Sequence, residues 1–387
     1  PPGLPLVRVA ETTRALADLA RYVRRAAKVP VVAVTGSVGK TTTKDMTAEL
    51  LGTRGPVLKT EGNLNNQYGL PLTLLRLTGE HVAAVLELGM SAAGEIRALA
   101  KTAEPDVATI TRIAPVHLEF FASLDAIAAA KAEILEGLAP GGTAVLNGDD
   151  DELRRIGERF PGRVVWFGRD RRCDVSAERW RGTAFGMRFD MRIAGRTLDI
   201  ALPLAGPHFA MNFLAAAAAA HVLGVTPEAI AEAAHQLRPA RHRGELRRLG
   251  EGVILLDDCY NSSPVALEAA LVALGLVPGL RRIAVVGDML ELGASGPRLH
   301  REAGRTFAGR VDVLLGIGPL ARELVEGARE AGLAGSALAH FEDAASAAAA
   351  VASLVTPGDA VLVKASRGLR LEQVVDALVA RFGEAAS

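Results

Sequence analysis

The stretch that most constrains this chain is Val31-Val32-Ala33-Val34, which leads into Thr35-Gly36-Ser37-Val38-Gly39-Lys40-Thr41 and then a helical pattern from about Thr42 to Leu51. Four apolar, mostly β-branched residues bounded by a turn read as a strand buried on both faces. A buried strand that feeds a helix through glycines belongs to a parallel sheet covered by helices. The turn also suits phosphate: glycines let backbone N–H groups approach an anion, and the helix N-terminus adds partial positive charge. Lys40 can reach terminal phosphates, and the Thr41 hydroxyl can ligate Mg²⁺. The general phosphate loop has a glycine where this chain has Val34, so an ordinary glycine-rich turn is the competing reading.

The rest of the chain extends the alternation. Further strands are expected at Val82–Leu88, Val107–Thr111, Thr143–Leu146 and Val164–Phe167, with helices near Gly94–Lys101 and Ser123–Gly137. Between Asp170 and Pro203 the pattern becomes an antiparallel hairpin insert, followed by a helix from His208 to Gly224. A second domain begins near Pro239–Arg243, with strands Val253–Asp257, Arg282–Val286, Val311–Leu315 and Ala360–Val363. Helices are expected at Pro264–Leu274, Leu299–Ala308, Pro319–Ala331, Ala344–Val355 and Leu371–Phe382. The fold class is therefore α/β: a central phosphate-loop ATPase domain with a mostly parallel sheet, plus a C-terminal Rossmann-like domain. The expected division is 1–29 as a linker remnant of an N-terminal domain, 30–239 as the ATP-binding domain and 240–387 as the C-terminal domain.

Composition narrows the class. Lys plus Arg and Asp plus Glu number 44 each among 387 residues, so neither a nucleic-acid tail nor a polybasic membrane patch is indicated. Cys173 and Cys259 form no disulfide framework, which favours a cytoplasmic location. No stretch reads as a signal peptide or membrane span. The start at Pro1 rather than Met points to a processed, trimmed or incomplete N-terminus.

Ordered motifs carry a resemblance. The loop Thr35–Thr42 is followed by Gly62-Asn63-Leu64-Asn65-Asn66, Glu87-Leu88-Gly89, His117-Leu118-Glu119 and Ala130-Lys131-Ala132-Glu133. Then come Gly206-Pro207-His208 with Asn212, Asp258–Pro264, Gly287-Asp288-Met289-Leu290-Glu291-Leu292-Gly293 and Lys364-Ala365-Ser366-Arg367-Gly368. Together these resemble the Mur ligases over about residues 4–380. The resemblance implies an ATP-dependent ligase that phosphorylates a carboxylate to an acyl phosphate, which an amine then attacks. Within the family the chain is most similar to the branch that adds D-alanyl-D-alanine to UDP-N-acetylmuramoyl-tripeptide. Such ligases have three domains, and most of the first, which recognises UDP, is expected to be missing here.

The resemblance also implies residue roles. Gly36, Ser37, Val38, Gly39, Lys40, Thr41 and Thr42 would hold the ATP phosphates. Thr41 and Glu87 would hold one Mg²⁺. A second Mg²⁺ would lie near His117 and a carbamate on Lys131. Asn212 would face adenine, Arg243 the phosphates, Asp258 the ribose, and Tyr260 and Asn261 the base. Asn63, Asn65 and Asn66 would hold the muramyl-peptide. Asp288, Met289, Glu291, Lys364, Ser366 and Arg367 would serve the incoming dipeptide, with the two cations suited to its carboxylate. ATP would sit between the central and C-terminal domains.

Taken singly, the same residues have plainer readings. Glu87 reads as a strand-end carboxylate, Lys131 as a solvated helix lysine, His117 as a loop residue, the asparagines as a polar turn and Asn212 as a helix cap. Arg241 and Arg247 compete with Arg243. A Mur-type ligase for another carboxylate and amine, a phosphate-loop ATPase switch without ligation, and an inactive ligase fragment stay open. The expected partners are the two substrates, without nucleic acid or membrane span, and the chain is expected to be a monomer.

Overall fold

The computed structural model describes residues 6–115, 119, 121, 123–183 and 186–385. The chain forms two compact units that interleave along the sequence. One comprises Pro1–Ile113, Asp125–Val175 and Ala215–Ile230; the other Ala114–Leu124, Ser176–Leu214 and Ala231–Ser387.

The first unit is built from α1 (Thr12–Ala27), β1 (Val31–Thr35), α2 (Lys40–Gly52), β2 (Val57–Lys59), α3 (Gly69–Leu74), β3 (Ala83–Glu87), α4 (Glu95–Ala103), β4 (Val107–Ile110), α5 (Leu124–Ala132), β5 (Thr143–Asn147), α6 (Asp151–Arg159) and β6 (Arg163–Gly168). Its strands run in the order β2-β3-β1-β4-β5-β6. All pair in parallel. Every residue of β1, β3, β4 and β5 is buried, as unbroken apolar runs require when helices cover both faces. Val34 lies opposite Glu87, and Thr35 opposite Ile110. The phosphate loop, Glu87 and Thr111 therefore emerge at one carboxyl edge, where open α/β sheets bind ligands. The helix expected over Ser123–Gly137 is α5 followed by a 3₁₀ turn, Glu133–Gly137.

The insert is three strands, β7 (Val175–Thr183), β8 (Gly186–Ile193) and β9 (Arg196–Leu202), with β8 and β9 antiparallel. Then come α7 (Pro207–Val222) and α8 (Pro227–Ala234). Ala215–Ala220 of α7 are all buried, which explains a helix with no polar stripe.

The second unit continues with β10 (Glu245–Arg248), β11 (Ile254–Asp258), α9 (Pro264–Leu276), β12 (Arg282–Gly287), α10 (Gly296–Arg305), β13 (Val313–Ile317), α11 (Ala321–Glu330), β14 (Leu338–Phe341), α12 (Ala344–Leu354), β15 (Ala360–Lys364) and α13 (Glu372–Phe382). The sheet order is β10-β11-β15-β12-β13-β14, parallel except for the edge strand β10. Alternate residues face two cores. Leu256, Val286 and Leu362 pack with α9, α10 and α11, and Leu255, Val285 and Val363 with α12 and α13. The parallel α/β architecture read from the sequence is the one found. Helix α10 starts at Gly296 rather than Leu299 because Pro297 occupies its first turn, where a missing N–H costs nothing.

Candidate active site

In the first unit, β1 enters the loop through Gly36, whose φ is +148°. A Cβ there would stand 1.9 Å from Thr111 Oγ1, so only glycine lets the loop close on β4. Thr111 Oγ1 donates to Val38 O at 2.6 Å, and Asn147 Nδ2 donates to Thr111 O at 3.0 Å. Gly39, with φ +83°, leads into α2, whose N-terminus has no side-chain cap. Lys40 Nζ donates to Gly36 O at 2.8 Å, so its ammonium folds back over the loop. The N-terminus of α2 places its partial positive charge at this loop, which suits an anion. Val34, in place of the usual glycine, is an interior β1 residue whose carbonyl accepts from Leu88 N at 2.9 Å.

Glu87 ends β3 and is only 3% exposed. Asn65 Nδ2 donates to its Oε1 at 2.9 Å, and its own N–H donates to Thr60 Oγ1 at 3.0 Å. Among the described residues Oε2 is buried without a hydrogen-bond partner. A buried, unsatisfied carboxylate oxygen is costly, and a hard cation is the natural way to satisfy it. The donor set, a carboxylate oxygen with threonine hydroxyls on α2, fits Mg²⁺. Asn65, expected on substrate, is thus placed on Glu87. Asn66 Oδ1 accepts from Gly69 N at 2.9 Å and caps α3, while Asn63 is exposed. Thr60 and Thr111 were missed in the sequence, because each acts on a strand neighbour far away along the chain.

Lys131 on α5 is 1% exposed, so it is not a solvated helix lysine. Burial, and then the charge of Lys40, hold its pKa well below the ordinary 10.5. His117 lies outside the described residues.

In the second unit the ends of β11, β15 and β12 stand side by side. Lys364 Nζ donates to Asp258 Oδ2 at 2.6 Å and to Asn261 O at 3.0 Å. Burial raises the Asp258 pKa, and Lys364 opposes the rise. This ammonium is therefore paired within the fold. The guanidinium of Arg243 lies 4.0 Å above the Tyr260 ring, and that of Arg367 lies 5.6 Å from the same ring. Arg247 instead pairs with Glu384, and Arg241 is exposed. Asn261 Oδ1 accepts from Ser262 N, so that side chain is turned to its own backbone. Asn212 sits on α7 one turn after His208. The His208 pKa is pushed down to about 3 by burial and by Lys364, which makes the imidazole neutral, and among the described residues its buried Nδ1 has no hydrogen-bond partner.

The loop after β12 carries Asp288, Met289 and Glu291. Met289 is fully buried in the core. Its N–H donates to His300 Nε2 at 2.9 Å. Asp288 is also buried, and its Oδ1 accepts from Ala321 N at 2.7 Å at the start of α11. Burial raises the Asp288 pKa against those backbone N–H groups and the nearby His300 and His340. Ser366 Oγ accepts from Leu290 N at 2.9 Å. Glu291, with φ +65°, and Arg367 are the exposed members of this group. The reason is common to all: a sharp loop leaves backbone N–H groups that need acceptors, and the nearest polar side chains supply them.

Comparison with known proteins matches this arrangement to the Mur ligase middle domain over residues 34–220 and to the Mur ligase, glutamate ligase domain over 242–367. The UDP-N-acetylmuramoyl-tripeptide–D-alanyl-D-alanine ligase of Escherichia coli K12 is 37% identical over 380 residues, covering 97% of this chain and 82% of the relative. The chain belongs to the Mur ligase family. As a Mur ligase, it is an ATP-dependent ligase. The Bacillus subtilis protein of the same name is 35% identical over 381 residues, covering 98% of this chain and 82% of the relative. Among solved Mur ligases, MurF from Acinetobacter baumannii superposes with a TM-score of 0.89 at 32% identity, covering 97% of this chain and 84% of that one. MurF from Thermotoga maritima in complex with ADP gives 0.86 at 30% identity, covering 97% and 85%.

Proposed function

We propose that this Mur ligase joins D-alanyl-D-alanine to UDP-N-acetylmuramoyl-tripeptide, converting ATP to ADP and phosphate in peptidoglycan precursor synthesis. The names and high coverage of its E. coli and B. subtilis relatives support the substrates. The observation that carries the chemistry is the unsatisfied Glu87 Oε2, held beside an uncapped phosphate loop. The loop's N–H groups and Lys40 hold the triphosphate. A tripeptide carboxylate oxygen bonds to the γ-phosphorus, and the bond to ADP breaks. The dipeptide amine then bonds to the acyl carbon, loses a proton and releases phosphate. Positioning and cations, rather than covalent help, are what phosphoryl transfer asks of a protein.

Thr41 and Glu87 would hold Mg²⁺, which neutralises phosphate charge when bound. His117 and a carbamate on Lys131 would hold a second ion. A buried amine whose pKa is held well below its ordinary value supports the carbamate: in its unprotonated form the Lys131 nitrogen bonds to CO₂ and sheds one proton, leaving an anion on a long arm. Asn212, Arg243, Asp258 and Tyr260 serve the nucleotide. Family matches at 34–220 and 242–367 support a domain division at 239/240. No helix of the described residues is long and apolar enough to cross a membrane, and both cysteines are free and buried, which supports a cytoplasmic site of action.

The test supplies ATP, Mg²⁺, UDP-muramoyl-tripeptide and D-alanyl-D-alanine, and follows phosphate and amide. Phosphate should appear only with both acceptors, and Lys40→Ala should abolish it with the circular dichroism unchanged. Release without either acceptor, or turnover retained by Lys40→Ala, would refute the proposal.

A further inference from the structure

His242 immediately precedes Arg243 and carries a left-handed φ of +61°. Side chains larger than glycine or asparagine avoid that conformation unless something holds them there. The structure supplies the hold. His242 is 7% exposed, and its Nδ1 lies 2.8 Å from Oδ2 of Asp257, which is fully buried. A carboxylate can only accept, so Nδ1 carries the proton. Asp257 Oδ1 accepts from Cys259 Sγ at 3.2 Å. The His242 carbonyl accepts from Tyr260 N at 3.0 Å. The segment carrying Arg243 is thereby tied at two points to the segment carrying Tyr260, the ring on which Arg243 stacks. The three heteroatoms lie within 4.8 Å of one another, as metal ligands can. Yet Asp257 already accepts from both neighbours, and Arg247 stands 3.9 Å away. The cluster is closed by hydrogen bonds and a cation rather than open to a metal.

We propose that His242 is a positioning residue: by bonding Asp257 it fixes the backbone that aims Arg243 over Tyr260, and so sets the affinity of this chain for ATP. The inference rests on the nucleotide role of Arg243 proposed above. Three substitutions separate its parts. His242→Gly keeps the left-handed backbone and removes the donor. His242→Asn keeps both, because its Nδ2 sits where Nδ1 does and asparagine tolerates positive φ. His242→Gln carries the donor one bond too far.

ATP binding is measured by titration calorimetry on the full chain, with kcat and KM from phosphate release and folding from circular dichroism. His242→Gly and His242→Gln should each weaken ATP about tenfold, as expected for one hydrogen bond to a charged group. At saturating ATP, kcat should change little. His242→Asn should stay within about twofold of the parent. In an Arg243→Ala background, His242→Gly should add nothing, the signature of acting through that residue. Unchanged ATP affinity in His242→Gly, or in His242→Gln if the glycine variant fails to fold, overturns the proposal, as does a full additional loss in the Arg243→Ala background. An unsubstituted chain that binds no ATP would instead bring down the ligase reading and this inference with it.

Discussion

Lys131 shows how much one residue depends on its surroundings. On α5 it looks like any helix lysine, and only its burial, beside the charge of Lys40, makes it a weak base. The consequence for stability has a definite sign. Unfolded, the amine holds its proton up to about its ordinary 10.5; folded, it gives that proton up at lower pH. The unfolded state therefore binds more protons in the window below 10.5, and stability rises with pH across it. Lys131→Met should remove that slope just below 10.5 and raise stability at pH 7 by about 1 kcal/mol or more. It should also lose ligase activity. Melts at several pH values, paired with the phosphate assay, check both. In Lys131→Ala, short carboxylates such as acetate should partly restore activity; full activity of that variant without additive would eliminate the carbamate. At this scale the motif around Lys131 was legible as a resemblance, but its burial was not, because no local pattern says which face of a short alanine-rich helix meets the core.

At the scale of elements, the central buried strands and capped helices were legible. Ser263 and Pro264 mark the start of α9, and the Ser263 Oγ accepts from Ala266 N. Edge elements were not. β10 reads Glu-Leu-Arg-Arg and becomes a strand only because β11 pairs with it. Helices α10 and α11 make a further point. A Cβ on Gly304 would stand 2.0 Å from Leu324 O, and one on Gly327 2.0 Å from Arg301 O. Two glycines let these helices meet backbone to backbone. Gly304→Ala and Gly327→Ala should each cost about 1–3 kcal/mol, read from urea unfolding. Substitution of Gly275, a glycine of α9 with open space around it and no positive φ, isolates the packing term from the general cost of replacing a helical glycine.

For the whole molecule, ATP binding should appear as stability, because a ligand that binds only the folded chain stabilises it. With Mg²⁺ and ATP at 100 times Kd the gain is about 2.7 kcal/mol. A thermal-shift series should show it, and Lys40→Ala should lose it. The amino-acid order alone determined which segments become buried strands, where glycines open a phosphate loop and which helices cover the sheets, since these follow from short-range periodicity and backbone freedom. Only the tertiary structure decided that Asn65 serves Glu87, that Lys364 is committed to Asp258 and that Met289 belongs to the core. Those contacts join segments that a parallel sheet brings together but that lie far apart in the chain. Sheet order is set by the packing of the whole, which no local window contains.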